Sequence, residues 1–121
     1  MDIVLTIPKQ NYERSNRNLR AYLDDGGCIF WTMSRVAKNL IIGDRVHFVK
    51  YGRVEHSMRL FKIKERASEI DVSTGERHSA RYILYMDDLQ YHDEIIAVRG
   101  FQGFRYKWWK ESCEGCANDI T

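Results

Sequence analysis

The stretch Leu40-Ile41-Ile42-Gly43-Asp44-Arg45-Val46-His47-Phe48-Val49-Lys50-Tyr51-Gly52-Arg53-Val54 decides the fold. Gly43-Asp44 is a turn signal that opens into a strand. Tyr51-Gly52 is a second turn, and the chain from Arg53 to Lys64 alternates as another long strand. Two strands joined by a tight turn predict a hairpin or meander rather than a helical crossover.

Reading outward, Ile3-Val4-Leu5-Thr6-Ile7 is a short β-rich run closed by Pro8. Asn11 is a helix cap, and the helix runs from Tyr12 to Leu23 before Asp24-Asp25-Gly26-Gly27 ends it. Leu19, Tyr22 and Leu23 form its apolar stripe, with Tyr12 behind them, while Arg14, Arg17 and Arg20 recur on a different face. Cys28 to Met33 reads as a second strand, and Ser34 to Asn39 as a polar turn or short helix. The polar stretch from Ala67 to Ala80, with Ser73-Thr74-Gly75-Glu76, reads as a loop. Arg81 to Leu89 is β-rich again, and Ile95-Ile96-Ala97-Val98 is another short strand. In the last run, Gly100 to Trp109, Phe104, Tyr106 and Trp108 alternate with Arg105, Lys107 and Trp109. The expectation is an α+β, mostly β fold. Five to seven short strands of mixed direction close into a pseudobarrel, because closure removes unpaired edges, and the early helix packs on it.

The chain has 121 residues, 44% hydrophobic and 30% charged, which is enough for one core. No apolar run approaches the ~18 residues that cross a bilayer, and no basic and apolar leader opens the chain. These features lead to the expectation of a cytoplasmic protein with no membrane contact. Net charge is only +2, but Glu111, Glu114 and Asp119 sit in a segment without Lys or Arg. Residues 1–110 therefore carry 19 basic against 14 acidic side chains, a formal +5. The expected division is one domain over 1–110 and an acidic polar tail over 111–121. A mildly basic body is compatible with nucleic acid.

Phe30-Trp31, Lys38-Asn39-Leu40, Gly43-Asp44-Arg45-Val46-His47-Phe48 and Gly52-Arg53-Val54 together resemble the PUA-like superfamily, which includes the PUA, ASCH, EVE and YTH domains. The likeness covers residues 3–63 loosely, and 95–109 more loosely through Gly100-Phe101-Gln102-Gly103-Phe104-Arg105-Tyr106. It implies a pseudobarrel with flanking helices and a pocket that receives RNA, DNA or a modified base. The ASCH-type run Gly-x-Lys-x-x-Glu-x-Arg is absent after the first strand, so a hydrolase acting on a nucleoside or nucleic acid is only an alternative.

Trp31 is the first candidate for base stacking, set against the plainer role of a core residue. Arg35 and Lys38 in the next connection, with Arg14 and Arg17 on the helix, are candidate phosphate ligands, or else a solvated face. Trp108 and Trp109 must point opposite ways on a strand, which makes Trp109 a second platform if it is the exposed one. Arg45, Arg59 and Arg105 are expected to cover strand ends or to pair with acids. The four histidines show no metal or catalytic spacing, and Asp87-Asp88 reads as turn chemistry. Cys113 and Cys116, with Cys28, are weak zinc candidates lacking a second ligand pair, so no cofactor or metal is expected. These readings converge on a binding domain rather than an enzyme, its partner a nucleic acid. A regulator or inhibitor that binds a protein through a surface patch is the alternative. Oligomeric state is not legible.

Overall fold

In the computed structural model, which describes residues 1–71 and 74–110, Gly43-Asp44 does open a strand. Gly43 takes φ +100°, a conformation open to glycine. Asp44 then uses one carboxylate oxygen to accept from the Ile41 backbone N–H at 2.9 Å and from the Met1 ammonium at 2.7 Å. Burial pushes the Asp44 carboxyl up, but these two bonds outweigh it and hold the group below its ordinary value.

The elements are β1 (Ile3–Thr6), a 3-10 turn (Lys9–Asn11), α1 (Tyr12–Asp25), β2 (Ile29–Met33), β3 (Arg45–Lys50), β4 (Arg53–Ile70), β5 (Arg77–Tyr91) and β6 (Phe104–Tyr106). The strands form one mixed sheet in the order β2-β5-β4-β3-β1-β6. Only β1 and β3 run parallel; the other neighbours are antiparallel. The mostly β, α+β architecture is as expected. Closure is not: β2 and β6 end the sheet and do not pair with each other.

Three expectations are corrected. Residues 67–80 do not form a long loop, because β4 and β5 pair as far as Ile70↔Arg77. The polar residues there alternate in exposure on a ribbon whose outer side has no second layer among the described residues. Residues 95–98 are not a strand; Arg53↔Ala97 is an isolated bridge, flanked by Val54 N–H to Ile96 O and Val98 N–H to Gly52 O. Asn11 stands at the N-cap, but its side chain makes no capping bond. The acidic tail expected over 111–121 lies outside the described residues. Among the described residues no helix is long and apolar enough to cross a membrane.

Each face of the sheet carries a core. Ile3, Leu5, Val46, Phe48, Met58, Leu60, Leu84 and Met86 form the larger one, closed by Leu19 of α1 and by Trp31, Tyr12 and Tyr22 at its margin. Val4, Val49 and Val54 form the smaller one, covered by Ile96, Val98, Phe101 and Trp109. The helix is fastened by polar contacts as well as by its thin stripe. Tyr12 Oη accepts from the Tyr51 N–H and Tyr22 Oη from the Asp88 N–H.

The strongest fastening is buried. Lys50, 1% exposed, donates to Asn16 Oδ1 at 2.7 Å and lies 3.1 Å from Glu55 Oε1. The register shift between Phe48↔His56 and Val49↔Val54 leaves Glu55 as the extra residue of a bulge. Its carboxylate also accepts from His56 Nδ1 at 2.8 Å. Burial raises the Glu55 carboxyl, but the His56 and Lys50 bonds overcome it and set the group below its ordinary value. Burial pulls the His56 imidazole down despite Glu55, so it serves as a neutral donor. Removing one member strands the other charge. Lys50→Ala is expected to cost about 3–5 kcal/mol in urea unfolding, and Lys50→Met/Glu55→Gln to recover most of that loss.

Candidate nucleic-acid interface

β4 and β5 extend past the rest of the sheet. Pairing of β2 with β5 stops at Met33↔Tyr82, and the ribbon continues alone to Ile70↔Arg77. The pairs Glu65↔Tyr82 and Ala67↔Ala80 place Arg66 opposite Arg81. Arg66 lies in the left-handed region at φ 50°, a strained conformation for a side-chain-bearing residue, and there the ribbon bends. The bend brings the inner face of the ribbon onto the body. Tyr85 Oη donates to Glu69 Oε1 at 2.5 Å although Tyr85 pairs with Lys62, seven positions earlier. His78 lies 5.9 Å from the Phe30 ring, and Arg14 of α1 reaches Asp71 and Glu76 at the tip, each at 3.9 Å.

Alternation then sets what faces outward. Ala67, Glu69, His78 and Ala80 are half-buried, whereas Arg66, Ser68, Ile70, Arg77, Ser79 and Arg81 are exposed. The outer face thus carries three arginines and two serines and no carboxylate. Arg66, Ser68, Ser79 and Arg81, with Ala67 and Ala80, line an open groove of about 720 Å³. Arg77 Nη1 donates to Ser68 Oγ at 3.0 Å, and the Arg81 guanidinium lies 5.8 Å from the Tyr82 ring. Among the described residues none of the three arginines has an ion-pair partner. Like charges facing each other across a strand pair repel, so Arg66 and Arg81 form a site that an anion would relieve. Sequence reading missed this face because 67–80 was read as a loop. The signal was Arg77-x-Ser79-x-Arg81, a period of two.

The residues singled out from sequence are spread more widely. Trp31 packs at the margin of the larger core, its ring 5.3 Å from Phe48, and is half-buried. Arg35 and Lys38 are exposed and make no ion pair among the described residues. β2 pairing ends at Met33↔Tyr82, and the chain then turns back so that Val36, Ala37 and Leu40 join the larger core. Arg14 is held by Asp71 and Glu76, and Arg17 by Glu13 at 3.1 Å. No contact joins Trp31 to Arg14, Arg17 or Arg35 among the described residues. Of the three arginines expected to cover strand ends or pair with acids, two pair: Arg45 with Asp88 at 2.9 Å and Arg59 with Asp87 at 3.1 Å. Asp87 and Asp88 therefore lie within β5 and serve as counter-ions, not in a turn after it. Arg105 lies over Phe101 at 4.3 Å. Cys28 is exposed, with burial of its thiol and the nearby Glu69 pushing its pKa up. Cys113 and Cys116 lie outside the described residues. Among the described residues no group of three or more His, Cys, Asp and Glu is arranged to hold a metal ion.

Trp109 is not an open platform. Its ring stands edge-on to His47 at 4.9 Å and to His92 at 5.7 Å, and its buried Nε1 has no hydrogen-bond partner among the described residues. Trp108, beyond the end of β6, is the exposed one of the pair. Under Trp109 runs a hydrogen-bonded chain at the rim of a polar pocket of about 310 Å³. The Asp2 carboxylate only accepts, so His47 Nε2–H donates to it at 3.3 Å. His47 Nδ1 then accepts from His92 Nε2–H at 2.9 Å. Forty-five positions separate the two histidines, which is why no spacing rule finds them.

Comparison with protein-family models, with curated proteins and with solved structures gives no match.

Burial is the largest influence on His47; the neighbouring His92 and Lys107 add to it, Asp2 opposes it, and the imidazole is lowered to about 4. The native state therefore binds fewer protons than the unfolded chain, whose histidine titrates at ~6.5. Stability is fully present above that value and is lost as pH falls towards 4, with a limiting slope of about 1.4 kcal/mol per unit for one group. Buried His56 acts with the same sign. Urea midpoints between pH 7 and 4.5 should fall steadily in the native protein and less steeply in His47→Asn.

Proposed function

We propose that the protein is a non-catalytic nucleic-acid-binding domain that holds phosphates on the outer face of the β4–β5 ribbon. The observation that carries this reading is the acid-free face of Arg66, Arg77 and Arg81 with Ser68 and Ser79. Arginine forks and hydroxyls are the side chains that contact phosphate oxygens, and releasing counterions from the nucleic acid supplies the affinity. Arg35 and Lys38, exposed in the connection after β2, are further candidate phosphate ligands. The resemblance to PUA-like domains leads to the same expectation from separate residues. Trp31 is engaged with Phe48, so the reading leans on charge more than on stacking.

A protein partner is the second reading. It is favoured by Met1, Ile41 and Ile42, which are 57%, 62% and 56% exposed, and are drawn together by the bonds Asp44 makes to Met1 and Ile41.

The test is a fluorescence-anisotropy titration of a mixed-sequence oligonucleotide pool at several salt concentrations. Arg66→Ala and Arg81→Ala should each weaken binding about tenfold and lower the log–log salt slope by about 0.7–0.9. Arg17→Ala, with its guanidinium already held by Glu13, should leave the slope unchanged. No binding at 50 mM salt by folded protein overturns the proposal in favour of the Met1–Ile41–Ile42 patch.

A further inference from the structure

We infer that the ligand of this face is duplex DNA, gripped by its two backbones across the major groove and without sequence preference. This rests on the nucleic-acid reading above and narrows it.

Three observations lead there. The first is what the face lacks. Its six exposed residues, Arg66, Ser68, Ile70, Arg77, Ser79 and Arg81, include no aromatic ring. Single strands are held largely by stacking bases on aromatic side chains, and this face has nothing to stack on. A duplex keeps its own bases stacked and offers only phosphates, which arginine and serine suit.

The second is how the ribbon is mounted. Its inner side is fixed to the body by Tyr85–Glu69, by His78 against Phe30, and by Arg14 at the tip. It therefore presents one fixed face, with its arginine and serine side chains turned outward. Arginines that contact the phosphates bordering a groove carry no sequence information, and sequence indifference follows.

The third is spacing. The three arginines stand at two levels, or rows: Arg66 with Arg81, and Arg77 alone, opposite Ile70 and four strand residues further on. At ~3.3 Å per residue the rows are about 13 Å apart. The B-form major groove is ~12 Å wide, so one row meets each bordering backbone. In A-form RNA the major groove is deep and narrow, and the same two rows do not span it. The Ser68 hydroxyl fixes Arg77 in its row by accepting its Nη1–H.

The experiment compares a labelled 20-base-pair DNA duplex, one of its strands alone, and the RNA duplex of the same sequence, at 50 and 200 mM salt. The DNA duplex should bind at least tenfold more tightly than either competitor, and a shuffled DNA duplex should bind equally well. Arg77→Ala and Arg66→Ala/Arg81→Ala should each abolish the preference for DNA over RNA duplex, with circular dichroism confirming the fold. Tighter or equal binding of the single strand or of duplex RNA overturns this inference and leaves the nucleic-acid reading standing. A more than tenfold difference between shuffled duplexes also overturns it. Binding of none of the three overturns both.

Discussion

β4 is too long for the molecule that contains it. Eighteen residues at ~3.3 Å each would span about 60 Å, whereas a domain of this size has a radius of gyration of ~14 Å. The strand and its partner β5 have to turn back. They do so through bulges near Ser57 and Phe61 and through the left-handed Arg66. What keeps them turned is a small set of polar contacts: the Tyr85 hydroxyl on Glu69, Arg14 on the tip, His78 against Phe30. Burial of Tyr85 and of Ile83 on the same side of β5 depends on that return. So does the outward aim of the arginines, since the half-buried alternate residues could not be covered otherwise.

The polar fastenings share a logic. Where α1 has too little apolar stripe to hold itself on the sheet, hydroxyls and one buried lysine do the holding. Tyr12, Tyr22 and Asn16 each reach a backbone or charged group on β3, β5 or the turn between β3 and β4. Such contacts demand particular geometry, and so they define where the helix sits more sharply than Leu19 alone would.

Local signals were legible in the sequence and long-range ones were not. Gly43-Asp44 and Tyr51-Gly52 announced their turns because glycine conformations and short side-chain bonds act within a few residues. The helix, the first two strands and the β3–β4 hairpin follow from that kind of signal. The distal ribbon was missed because Ala67, Glu69 and Ala80 have low strand propensity, and pairing alone makes them β. The aromatic at Trp31 was found, but its contact with Phe48 depends on two strands, β3 and β2, that are not neighbours in the sheet. The histidine chain under Trp109 depends on register, which no single segment encodes. Barrel closure failed as an expectation for a similar reason: the number of strands was close, yet their order leaves β2 and β6 at opposite ends.

That order also has a temporal side. β1 lies between β3 and β6, pairing Ile3 with Val46 on one flank and with Tyr106 on the other. Its neighbours are therefore made some forty and one hundred residues after it. Loops of that length close slowly, and a parallel pair forms only once both strands exist in full. The β3–β4–β5 meander joins strands consecutive in the chain, whereas the most buried strand, with Ile3 and Val4 wholly enclosed, depends on partners far along it. Strand β1 thus keeps one edge unpaired until the three residues of β6 are in place.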